Sequence, residues 1–150
     1  TEFAPQSDIT RAMFVTVLYR IENEPQADRC DFTDVASGSY YEKAVAWANA
    51  NGIVSGISEK RFAPNEPITR EQMAAIIYRY ATFKGYDITT GGSTAYTDNS
   101  DISDYAKDAV TWAAGKSIMT GNTDGSFAPK ANTTRAQAAA VFMRMLENQK

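Results

Sequence analysis

The sequence predicts an all-helical repeat protein assembled from helix–loop–helix units. Three observations lead there. The dipeptide Thr-Arg occurs at Thr10-Arg11, Thr69-Arg70 and Thr134-Arg135, each time seven positions after the Phe of a Phe-Ala-Pro turn (Phe3, Phe62, Phe127). Apolar residues at helical spacing follow every copy. Around the second and third copies the chain matches itself at an offset of 65, pairing Ala44-Val45 with Ala109-Val110, Trp47 with Trp112, Ile53 with Ile118, Gly56 with Gly121 and Arg79 with Arg144. Self-similarity at a fixed period marks a repeat architecture.

The elements follow in chain order. Residues 1–31 hold a half-unit, whose helix starts at Thr10 and carries the apolar row Phe14, Val17, Leu18 and Ile21. Residues 32–85 form a complete unit. Its front helix is expected from Tyr40 to Asn51, because Tyr41, Ala44, Val45 and Ala48 share a face and Gly52 supplies a C′ residue. Its back helix starts at Thr69 and carries Met73, Ile76, Ile77 and Tyr80. Residues 86–95 read as a linker. Residues 96–150 repeat the unit, with a front helix over Tyr105 to Lys116 and a back helix from Thr134 carrying Ala138, Val141, Phe142 and Met145. Thr69-x-x-Gln72 and Thr134-x-x-Gln137 are capping boxes, in which hydroxyl and amide each satisfy a backbone N–H. Thr10 is followed by Met13, so that copy keeps the cap and loses the return bond.

Composition removes several function classes. The 150-residue chain has a net charge of −3 and no basic run, which argues against nucleic acid as a partner. No apolar stretch has the length of a membrane span or the look of a signal h-region, so the chain reads as a fragment or a mature product. The single Cys30 excludes an internal disulfide and reads as a linker or turn thiol. With no histidine and no recurring carboxylate pair, an enzyme is the weakest reading, and no cofactor or metal is expected. Asn122-Thr123-Asp124-Gly125 reads as an Asp-Gly turn, because its counterpart at 57–60 lacks calcium-loop chemistry.

Arg11, Arg70 and Arg135 are the sharpest candidates for function. A cation in the first helical turn opposes the helix dipole, so its repetition needs another cause. One cause is an anion held jointly by the guanidinium and free helix N–H groups. The other is a structural pair with an aspartate such as Asp34 or Asp98. Trp47 and Trp112 suit sugar stacking, with core packing as the default for rings on apolar helix rows. Asp34 and Asp98 suit turn duty, and Gly56 and Gly121 suit a positive φ or a close approach.

The ordered set Phe32-Thr33-Asp34-Val35, Tyr40-Tyr41, Ala44-Val45, Gly52-Ile53-Val54-Ser55-Gly56, Phe62-Ala63-Pro64 and Ile68-Thr69-Arg70-Glu71-Gln72 resembles the S-layer homology domain family. The last unit matches through Tyr96-Thr97-Asp98 and Thr133-Thr134-Arg135-Ala136-Gln137. The resemblance implies an all-α, pseudo-threefold bundle of repeats, here with the first repeat incomplete. It implies grooves between repeats that bind secondary cell-wall polysaccharide, often pyruvylated and anionic, so that a surface protein is held non-covalently to the bacterial cell wall. The candidate glycan-binding residues are Arg70, Arg135 and Arg11, with Gly56, Ser58, Gly121, Asn122, Trp47 and Trp112. A protein–protein or self-assembly module of a surface layer is the alternative. The incomplete first repeat should leave the Phe14–Ile21 face open and favour a homodimer or domain swap there.

Overall fold

The computed structural model describes residues 6–90 and 94–148. The Phe3-Ala4-Pro5 turn and residues 91–93 of the expected linker lie outside them. The described residues form five α-helices and no strand: α1 (Arg11–Ile21), α2 (Glu42–Ala50), α3 (Arg70–Lys84), α4 (Lys107–Gly115) and α5 (Arg135–Glu147). Two 3₁₀ turns, Asn99–Asp101 and Asp104–Ala106, precede α4. The fold is all-α, as expected.

The back helices begin where their caps dictate. Thr69 Oγ1 accepts from the Gln72 N–H at 3.2 Å, and Gln72 Oε1 accepts from the Thr69 N–H at 3.0 Å. Thr134 and Gln137 reproduce the pair at 3.1 and 2.9 Å. Thr10 accepts from the Met13 N–H at 3.1 Å without a return bond. Their inward rows are buried: Met73, Ile77 and Tyr80 are completely inaccessible, as are Phe14, Leu18 and Met145.

The front helices are shorter than the apolar pattern suggests. α2 starts at Glu42 and α4 at Lys107, and neither has a side-chain cap. Tyr40 and Tyr105 lie in the entering turns, 60% and 52% exposed, because three-residue turn bonds replace the first helical turn. Both front helices end as expected. The N–H of Ile53 donates to Ala48 and that of Ile118 to Ala113, both at 2.8 Å, across a left-handed residue. That residue is Gly52 at φ 73° in one unit and Ser117 at φ 57° in the other.

Ile9–Ile68 form one compact unit; the described residues up to Asp8, with those from Thr69 onward, form another. The division falls inside the sequence repeat, at the start of a back helix. In the first unit α1 packs along α2, and in the second α3 packs along α4. α1 and α3 therefore each lie against the front helix of the following repeat. This corrects the expectation for α1. Phe14 and Leu18 are covered completely, Val17 and Ile21 stay half-buried, and the supposedly open face is filled by α2.

Candidate functional site

The Thr-Arg junctions of α1 and α3 are each received by the Phe-Ala-Pro turn of the next repeat. The Arg11 and Ala12 N–H groups donate to Glu66 and Pro64 carbonyls, both at 2.9 Å. The Arg70 and Glu71 N–H groups donate to Ala131 and Pro129 at 2.9 and 3.0 Å. Arg135 N–H donates to the Ser7 carbonyl at 2.9 Å. With N3 held by threonine, the first turns of α1 and α3 have no free N–H groups for an anion. The expectation that guanidinium and helix terminus grip a ligand together is thereby corrected at Arg11 and Arg70. Backbone carbonyls of the neighbouring turn saturate the donors first.

The guanidinium groups reach the same turns. Arg11 is 4% exposed; its Nε donates to the Phe62 carbonyl at 2.9 Å, and its Cζ lies 4.7 Å from the Phe62 ring centroid. Arg70 is 9% exposed; its Nε donates to Phe127 at 2.7 Å and its Nη2 to Thr120 at 3.0 Å, over the Phe127 ring at 4.7 Å. Burial pulls the Arg70 pKa below the ordinary arginine value, opposed by Tyr96 and Asp98. An arginine nonetheless stays charged at neutral pH. Structural engagement of the arginines is therefore real, but its partners are carbonyls and rings, with the aspartates placed one layer behind.

Asp34 and Asp98 hold those turns in shape. Asp34 accepts from the Phe62 and Ala63 N–H groups at 2.8 Å each, and Asp98 from Phe127 and Ala128 at 2.9 Å each. Ala63 and Ala128 sit at φ 60° and 56°, an uncommon left-handed conformation for alanine. The carboxylate across two successive N–H groups offsets that cost. Gly56 and Gly121 have ordinary φ and serve close approach instead. A Cβ on Gly56 would strike the Arg61 and Ser58 carbonyls, and one on Gly121 the Tyr96 ring.

The candidate residues separate into distinct places. In the second unit a cavity of about 330 Å³ is lined by Arg70, the loop Met119 to Asn122, and Ala136, Gln137, Ala140, Val141 and Arg144 of α5. Arg70, Gly121 and Asn122 thus line one cavity. The other terminal nitrogen of Arg70, Nη1, makes no hydrogen bond among the described residues. Gly56 and Ser58 line a different cavity, of about 380 Å³ in the first unit, with Lys60 and Asn49. Arg135 is half-buried at the start of α5. Trp47 and Trp112 are core residues, 4% and 1% exposed, against Tyr19 and Tyr78 with ring centroids 5.8 and 5.6 Å away. Neither indole has a face open to a sugar, because the helix row that carries it packs on a back helix.

Two cavity residues escaped the sequence reading. Gln137 was assigned only to its cap, and Arg144 only to the repeat match with Arg79. Gln137, Ala140, Val141 and Arg144 fall at helical spacing on one face of α5, a signal that was present once the loop opposite was known. The Asn122–Gly125 stretch is a plain turn: Asp124 Oδ1 accepts from the Ser126 N–H and hydroxyl at 2.9 and 2.7 Å.

The S-layer homology domain model matches residues 31–74 and 95–139. The chain is 38% identical over 149 residues to an amylopullulanase of Thermoanaerobacterium thermosulfurigenes, covering 98% of this chain and 8% of that protein. It is 40% identical over 148 residues to an endoglucanase of Bacillus sp. (strain KSM-635), covering 97% and 16%. It is 31% identical over 150 residues to a surface-layer 125 kDa protein of Lysinibacillus sphaericus, covering 97% and 12%. The chain thus spans a small part of each relative, and their catalytic names do not transfer to it. It belongs to the S-layer homology domain family. That membership agrees with the cell-surface location expected from the sequence and with a role in surface attachment. No helix among the described residues is long and apolar enough to cross a membrane.

Proposed function

We propose that this chain is a non-catalytic anchoring module that holds a surface protein to the bacterial cell wall by binding an anionic wall polysaccharide, a pyruvylated one being the best fit. The observation that carries this reading is the cavity whose lining brings Arg70, Arg144, Asn122 and Gln137 around one open space. Guanidinium groups suit a carboxylate, and amides suit sugar hydroxyls. A repeating polymer also gains from several weak sites on one chain, which favours anchoring over single-sugar capture.

Calorimetry against purified wall polysaccharide, with and without its pyruvyl groups, tests the proposal. Arg144→Ala leaves the Arg70 turn contacts intact and should lose about ten- to a hundredfold in affinity, the worth of one charge-assisted pair. Arg70→Lys keeps a cation but loses the fork with its Phe127 and Thr120 hydrogen bonds, so it should bind more weakly and melt lower, and its affinity is read only at temperatures where it is folded. Unchanged affinity in both folded variants would overturn the arginine mechanism. Equal binding of pyruvylated and bare glycan would remove the anion and leave neutral sugar recognition.

A further inference from the structure

The turn over residues 122–126 carries a chain of side-chain hydrogen bonds with a fixed direction. Asp124 Oδ1 accepts from the Ser126 hydroxyl at 2.7 Å and from the Ser126 N–H at 2.9 Å. These two bonds, the hydroxyl first, hold the Asp124 carboxyl below its ordinary value. A carboxylate only accepts, so the single proton of the Ser126 hydroxyl is committed to it. Ser126 Oγ then has only lone pairs left, and it accepts from Asn122 Nδ2 at 3.2 Å. An amide turned the other way would set its own oxygen against those lone pairs. The network therefore assigns which way Asn122 faces. Its nitrogen meets Ser126, and its Oδ1 is turned away, with no hydrogen bond among the described residues.

The fold does not need this chain of bonds. At the repeat offset of 65, Ile57 stands in the place of Asn122 and Arg61 in that of Ser126. The backbone bond that closes the turn forms in both copies. Asn122 N–H donates to the Ser126 carbonyl at 2.7 Å, and Ile57 N–H to the Arg61 carbonyl at 2.8 Å. Amide, hydroxyl and carboxylate are thus additions to one copy of a turn that closes without them. Asn122 is also a lining residue of the cavity that holds Arg70 and Arg144.

That cavity is rich in donors and poor in acceptors. A guanidinium only donates. Gln137 has its Oε1 engaged by the Thr134 N–H at 2.9 Å, so its amide offers the cavity N–H groups. Asn122 Oδ1 supplies the missing acceptor. We infer that the cavity selects a glycan in which an unsubstituted hydroxyl lies beside the anionic group. Asn122 Oδ1 accepts from that hydroxyl while the guanidinium groups hold the anion. Asp124, acting through Ser126, is the positioning residue that keeps Oδ1 in place. This rests on the wall-polysaccharide reading above and adds to it the chemistry that the ligand must carry. A ligand with acceptors alone would set its lone pairs against Oδ1.

The test compares the wall polysaccharide with the same polymer after O-methylation of its hydroxyls and saponification of methyl esters, which leaves its carboxylates free. Calorimetry gives the ratio of the two affinities for each protein. That ratio should be about three- to tenfold larger for the native chain than for Asn122→Ile or Asp124→Ala, the worth of one hydrogen bond. Asp124→Asn keeps an acceptor for the Ser126 hydroxyl and should keep the native ratio. It has the same charge as Asp124→Ala, so lost charge does not account for a difference between them. NMR without glycan reads the orientation directly. The Asn122 side-chain amide protons should exchange more slowly in the native chain and Asp124→Asn than in Asp124→Ala. Equal exchange in all three would overturn the orientation. Glycan binding with one common ratio in all four proteins would overturn the selection of a hydroxyl and leave the anchoring reading standing. A native chain that binds neither polymer would overturn the anchoring reading, and the ligand chemistry with it.

Discussion

Arginine, aspartate and alanine make a single device at the residue scale. The aspartate carboxylate fixes a left-handed alanine turn, and the carbonyl exposed by that turn receives an arginine from the preceding repeat. Hydrogen bonds from the Phe127 and Ala128 N–H groups hold the Asp98 carboxyl below its ordinary value, against a smaller opposing effect of burial. At Asp34 burial alone acts upward, and the Phe62 and Ala63 N–H groups with Arg61 bring the net shift downward. A carboxyl depressed in the folded state contributes stability above its unfolded pKa, and this is lost as pH falls through the folded value. The melting temperature should therefore hold from neutrality to about pH 3.8, the ordinary value of an aspartate carboxyl, and fall below it. Asp98→Asn should melt lower at pH 7 and show a smaller further loss in acid. Melting curves between pH 7 and 2 check this, and parallel acid profiles for the two proteins would refute the clamp.

Helix ends account for most of what the individual elements require. Each threonine cap is worth on the order of 1 kcal/mol, so Thr69→Ala should lower stability by about that amount in urea unfolding. The end of α4 is less well served. Ser117 is exposed and adopts φ 57° where α2 uses Gly52. Ser117→Gly removes a left-handed penalty of roughly 1–2 kcal/mol and adds the unfolded-state entropy of glycine, for a net gain of about 0.5–1 kcal/mol. The same substitution at Ser37, exposed and outside the left-handed region, should not stabilise, which isolates the backbone cause. An unchanged urea midpoint for Ser117→Gly would mean that the α4 end relaxes without help.

At the scale of the whole molecule, charge sets how the proposed wall glycan would be met. The chain carries a net −3, so an anionic polymer has no general attraction to it and must be drawn by local cations. Arg70 and Arg144 supply these at one cavity. Affinity for a pyruvylated glycan should fall by roughly three- to tenfold between 50 and 500 mM salt, because screening shortens the reach of both cations. Binding that ignores salt would point to neutral hydroxyl recognition in the same cavity.

Local chemistry was enough to locate the helices. Caps, C′ residues and apolar periodicity act within a few residues, so Thr10, Thr69 and Thr134 marked the back helices and Gly52 the end of α2 from sequence alone. The repeat identified the family for the same reason, since a small set of turn and cap residues recurs at fixed spacing. Partnership between elements was not legible. Phe62 stands seven positions before Thr69 in the chain, yet its ring and carbonyl hold Arg11. Trp47 follows Tyr40 and Ala44 on one row of the front helix, yet its neighbour is Tyr19 of the preceding helix. A repeat written in sequence order gives no sign that α1 and α3 pack forward onto the next repeat. Only the tertiary structure decided that Phe14 and Leu18 of α1 are covered while Met143 and Leu146 of α5 stay exposed, because burial depends on which surfaces meet in space, whereas capping and periodicity depend only on neighbours along the chain.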